Sequence, residues 1–134
     1  MIKDIINKIE GTAQNIPNIN QIIQFNVYDI NKLKNVDYSC FAWTINDGIE
    51  NNGTITYTIS IFYVDRLLSD NSNKLLIWDE GETILKRIID MLSEEDFGEI
   101  SQRKYQYFSD EFVDKCAGVW CDFSIEIQVG DCTY

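Results

Sequence analysis

From Thr54 to Asp65 the chain alternates between polar and apolar positions with a period of two. Ile55, Tyr57, Ile59, Ile61 and Tyr63 share one face. Thr54, Thr56, Thr58 and Ser60 share the other, which turns apolar at Phe62 and Val64. Strand side chains alternate sides, and β-branched and aromatic residues suit a half-buried pleated surface. The stretch therefore predicts a central strand, with partners on both edges and a helix or second sheet on its apolar face. A second alternation runs from Gly118 to Val129. Val119, Cys121, Phe123, Ile125, Ile127 and Val129 face one way; Trp120, Asp122, Ser124, Glu126 and Gln128 face the other. One of these faces must be core and the other wet.

Asp37–Ile45 predicts the strand that pairs with 54–65. Asn46-Asp47-Gly48 and Asn51-Asn52-Gly53 bracket a loop between them, since Asn/Asp-Gly pairs supply the positive φ of hairpin turns. Gln24–Tyr28 and Gln102–Phe108 predict shorter strands, and Asp29–Val36 a polar turn. Elsewhere the period is helical. Ile2, Ile5, Ile6 and Ile9 make one stripe of a short helix stopped near Gly11. Residues 12–24, which include the single proline Pro17, predict a connector with a turn of helix around Asn18–Ile23. Leu75–Trp78 predicts an extended stretch or a helix entry. Ile84, Leu85, Ile88, Ile89 and Leu92 predict a helix from Glu80 or Glu82 to about Glu94. Asp79, Glu80 and Glu82 would then lie at its N-terminus, where the macrodipole favours anions. The order predicts one α+β domain over 1–134. An N-terminal helix and connector occupy 1–24. A mostly antiparallel four- to five-stranded sheet with a central helix occupies 25–134, both helices packing on one face.

Charge changes this picture. The net charge is −11, and residues 79–134 carry 14 acids against 5 bases, whereas residues 1–78 carry 8 against 6. Such a field disfavours tight nucleic-acid binding through phosphate neutralisation. It suits a solvated surface, a basic protein partner, or a wall along which DNA slides without adhering. No apolar run approaches the roughly 20 residues that span a bilayer. The charged N-terminus lacks a signal-peptide core, so a soluble protein made in the cytoplasm is expected.

Candidate chemistry is sparse. With no histidine there is no His-based triad or base, and no Gly-rich phosphate loop is present. Without an export signal the four cysteines, Cys40, Cys116, Cys121 and Cys132, are expected as free thiols, and their spacing matches no zinc site. Asp47 and Glu50 do not fit the twelve-residue calcium-loop pattern. The pairs Asp110 with Glu111 and Asp122 with Glu126 read as solvated faces. No enzyme activity, cofactor or metal is therefore expected. Trp120, an aromatic on the polar face of its strand, reads as an interface residue.

Three stretches together resemble a family. They are the strand and polar turn Ile59-Ser-Ile-Phe-Tyr-Val-Asp-Arg-Leu-Leu-Ser-Asp-Asn-Ser-Asn73, the helix opening Gly81-Glu-Thr-Ile-Leu-Lys-Arg-Ile-Ile89, and the closing strand Asp122-Phe-Ser-Ile-Glu-Ile-Gln-Val129. In these the chain resembles the tail-terminator, tail-completion and neck (head–tail connector) proteins of tailed bacteriophages, crAss-like phages in particular. The resemblance implies a virion protein, made in the host cytoplasm, that forms a homo-oligomeric six-fold or twelve-fold ring. Such a ring contacts other neck or tail-tube proteins and passes DNA as non-specific cargo, with no membrane contact and no catalytic residue. On that basis the interface candidates are Tyr63, Asp65, Arg66, Trp120 and Glu126. Trp120→Asp is expected to weaken assembly more than folding. The alternative from charge and size is a small acidic immunity or inhibitor protein that binds a basic toxin or nuclease.

Overall fold

The computed structural model describes residues 2–24, 37–95, 97–109 and 115–129. The Thr54–Arg66 strand (β3) stands at the centre of the sheet. It pairs antiparallel along its whole length with Cys40–Asn51 (β2) on one side and Cys116–Gln128 (β5) on the other. Glu99–Ser109 (β4) runs antiparallel outside β5, and the four-residue Gln21–Gln24 (β1) runs parallel outside β2. The order is β1-β2-β3-β5-β4. Two helices, Ile2–Gln14 (α1) and Lys74–Glu94 (α2), share one core with a single face of this sheet. The fold is α+β, with a mostly antiparallel sheet and both helices on one side.

Period-two and period-3.6 patterns meet in that core. Ile59, Ile61 and Tyr63 of β3 and Val119, Cys121, Phe123 and Ile125 of β5 pack beneath Leu85, Ile88, Ile89 and Leu92 of α2. Ile5, Ile6 and Ile9 of α1 join the same cluster. Polar ties fasten the layers at their margins. Lys8 pairs with Glu95 at 2.5 Å, Arg103 with Asp90 at 2.6 Å, and the Trp43 Nε1–H donates to Glu10 at 2.8 Å. Lys86 and Arg103 together hold the Asp90 carboxyl below its ordinary range. The Asp90 ties accordingly stabilise the fold above the ordinary carboxylate range and are lost as pH falls through the lowered value.

Several boundaries depart from the pattern reading. Helix α1 continues past Gly11 to Gln14. The turn of helix expected around Asn18–Ile23 is replaced by β1, because Gln21–Gln24 finds a parallel partner in Cys40–Trp43. Of the strand expected at Gln24–Tyr28 only Gln24 lies within the described residues, and the turn expected at 29–36 lies outside them, as do Cys132 and the tail. The expected Asn46–Gly53 loop shrinks to Asn52-Gly53, whose φ values of 52° and 82° make the tight hairpin turn. Asp47-Gly48 instead belongs to β2, beyond a bulge between Ile45 and Asp47. Both edges of β3 are taken, by β2 and β5, as expected of the central strand.

Helix α2 begins at Lys74, so Leu75–Trp78 are helical. Asp79, Glu80 and Glu82 fall beyond the first turn, where the dipole no longer favours them. Gly81, a poor helix residue, sits inside α2 for a tertiary reason. A Cβ there would lie 2.9 Å from Val119 Cγ2 and 3.0 Å from Tyr63 Cδ1. The glycine lets the helix sit close on the sheet. Gly81→Ala ordinarily gains about 1 kcal/mol of helix propensity, but here it meets two core side chains. We expect Gly81→Val to cost about 2–3 kcal/mol by chemical denaturation, with no gain from Gly81→Ala.

Candidate functional site

Neither described helix packs on the second face of the sheet. On β3 this face presents Val64, Phe62, Ser60, Thr58, Thr56 and Thr54 in order. Their cross-strand partners on β5 are Gly118, Trp120, Asp122, Ser124, Glu126 and Gln128. The β2 bulge keeps Asp47 opposite Thr58 and Ile49 opposite Thr56, so both come to the same face. On β4 Lys104 stands opposite Asp122 and Glu99 opposite Glu126.

The face divides in two along the strands. At the Val64 end, Phe62, Val64, Ala42 and Cys40 are at most 1% exposed and form an apolar patch separate from the main core. The Trp120 ring tilts against Phe62 with centroids 5.6 Å apart. At the hairpin end the residues are half-buried or exposed, and Ile49 is 62% exposed. Between the halves lies a polar network. Asn46 Nδ2 donates to Ser60 Oγ at 2.8 Å, Ser60 Oγ donates to Asp122 Oδ1, and Trp120 Nε1 donates to that same oxygen at 3.0 Å. Ser60 is 1% exposed. Ser60 and Trp120 thus hold one carboxylate oxygen while Asn46 ties β2 to Ser60, and the Trp120 ring is fixed both by Phe62 and by its N–H.

Each sequence candidate finds a distinct place. Trp120 and Glu126 lie on this face, Trp120 half-buried and Glu126 exposed. Glu126 faces Glu99 directly across the ladder, an arrangement that costs stability because like charges oppose. Arg66 ends β3 on the surface, its guanidinium 5.2 Å from the centre of the Tyr38 ring. Asp65 accepts the Arg66 backbone N–H at 2.8 Å. Both border a small open cleft with Asn20, Asp37 and Tyr38, away from the Trp120 network. Tyr63 is different. Its ring is 1% exposed under α2, with its hydroxyl 3.4 Å from Glu80, and burial pushes its pKa up to about 12. Tyr63 is therefore a core residue whose ring reaches no surface partner.

Sequence reasoning missed Ser60 and Asn46. The usable signal was the register: a hairpin through Asn52-Gly53 and a β3–β5 pair place Ser60 beside Asp122. The bulge that turns Asn46 toward Ser60 has no comparable signature.

No family model and no curated protein matches the chain. The chemistry of the described residues is correspondingly plain. They include no group of three or more His, Cys, Asp and Glu placed to hold a metal ion, and no helix long and apolar enough to cross a membrane. Burial pushes the Cys40 and Cys121 thiols up to about 12, so both stay protonated and poorly nucleophilic at neutral pH; Cys116 is likewise buried.

The network makes Trp120→Asp a poor probe of binding alone. It would uncover Phe62 and set a second carboxylate beside Asp122, so we expect it to cost about 3 kcal/mol of stability. Trp120→Phe keeps the ring contact and loses only the N–H. We expect that variant to cost about 1 kcal/mol by urea unfolding, which leaves it usable in binding assays.

Proposed function

We propose that the chain is a non-catalytic assembly protein, a ring subunit of the neck or head-proximal tail of a tailed bacteriophage, and that the hairpin half of the sheet face opposite α1 and α2 lines the channel through which DNA passes. The observation that carries this reading is the opposition of Glu99 and Glu126 on that face, with Asp47 and Asp122 on it as well. Two carboxylates held across one ladder lower stability, and such a cost points to a surface kept for its field. On this face hydroxyls and carboxylates outnumber Lys104, and such a wall repels the phosphate backbone and lets a duplex slide. The resemblance of residues 59–73, 81–89 and 122–129 to tail-terminator and neck proteins supports the same reading, as does the fixed Trp120–Asp122–Ser60 network, which stiffens the face.

Sedimentation velocity over a wide concentration range tests it. The reading expects a discrete large species that grows at the expense of monomer. Monomer throughout would overturn it, and a salt-sensitive one-to-one complex with a basic protein would then favour an acidic immunity or inhibitor protein.

A further inference from the structure

The two ends of α2 differ in a way that the sheet face does not explain. At its N-terminal end, Leu68, Leu75 and Leu76 are 55%, 72% and 59% exposed. They are not on a loose loop. Asn73 ties the corner together, its Oδ1 accepting the Leu68 N–H at 2.9 Å and its Nδ2 donating to the Arg66 carbonyl at 3.1 Å. Lys115 donates to the Ser69 carbonyl at 3.1 Å, and Lys74 lies 5.4 Å from the Trp78 ring centre. Arg66, Lys74 and Lys115 belong to this corner, as do Asp65 and Asp70. At the other end of α2, roughly 30 Å away for a helix of this length, an open cleft of about 630 Å³ lies between α1 and the end of β5. Ile5, Phe97 and Ile127 supply its apolar lining, and Asp4, Lys8 and Glu95 its charged groups. Glu99 and Glu126 border the adjoining hollow.

We infer that the Leu68–Leu75–Leu76 corner of one copy of this chain docks in the α1–β5 cleft of the next. This rests on the ring reading above and specifies its contact. The apolar knob meets the Ile5, Phe97 and Ile127 lining of the cleft. A corner with three cations to two carboxylates meets an end where Asp4, Glu95, Glu99 and Glu126 outnumber Lys8, so charge favours this pairing over like against like. The two surfaces are different and lie at opposite ends of one rigid helix, so the contact is heterologous and runs head to tail, closing into a ring if the rotation allows. The sheet's edges offer less. β1 is four residues long, and β4 is kinked by the register shift between Ser101 and Lys104, with Gln102 at φ 52°. Short and bulged edges resist edge-to-edge pairing.

Two full-length variants test the contact. Leu75→Ser/Leu76→Ser removes the knob at positions already exposed, and Asn7→Arg fills the cleft from an exposed helical site. Each variant alone should need roughly 100-fold more protein than wild type to self-associate, with thermal midpoints close to wild type. Mixed together they should form a one-to-one dimer and stop, because each retains one intact half of the contact. Variants that assemble as wild type does would overturn the inference and leave the ring reading standing. A mixture that stays monomeric would also overturn it. A wild-type protein that never self-associates would overturn both.

Discussion

Gly118→Ala is expected to lower stability by at least about 3 kcal/mol, or roughly 10 °C of thermal midpoint for a chain of this size. Gly118→Val should fail to give a folded protein. A Cβ at this position would lie 2.2 Å from the Tyr63 carbonyl oxygen and 2.6 Å from Phe108 Cζ. A flexible side chain could step aside, but the first of these atoms is the backbone of the central strand. The Phe108 ring of β4 fills the space that a Gly118 side chain would take. Moving β5 away would break its pairing with β3, which runs from Thr54 opposite Gln128 to Arg66 opposite Cys116. A Gly118→Ala protein melting within two or three degrees of wild type would mean that this register is wrong.

The second large effect is expected at Phe62. Phe62→Ala should cost about 3–5 kcal/mol, as for a buried aromatic truncated in a core, although Phe62 points away from both helices. It is fully buried and supports the Trp120 ring. Thr56→Ala, on the same face toward the hairpin, should change stability by less than about 0.5 kcal/mol. The contrast measures the division of the face into an apolar patch and a wet half. A Phe62→Ala cost below about 1 kcal/mol would show that the face is wet from end to end.

The long alternating runs were legible because each carries its own burial pattern. The face assignments of β3 and β5 and the apolar stripes of both helices follow directly from residue identity. What was not legible depended on partners elsewhere in the chain. Gly81 reads locally as a helix boundary, yet it is interior because Tyr63 and Val119 require a close helix. Asp47-Gly48 reads as a turn, yet a bulge absorbs it into β2 and only Asn52-Gly53 reverses the chain. Gln21–Gln24 reads as a connector until Cys40–Trp43 offers it a parallel ladder. Among the candidate residues, Trp120 and Glu126 could be placed on an outward face by counting from Gly118. Tyr63 shares the face of Ile59 and Ile61, and the same counting puts it in the core. The Asn46–Ser60–Asp122–Trp120 network needs three strands in register, which no local pattern specifies.

Negative-stain imaging of the assembled protein is the sharpest test of the proposed closed ring and its acidic channel. Class averages of uniform closed rings, with a central opening wide enough for duplex DNA, are expected. Open filaments, compact dimers or particles without a channel would contradict it.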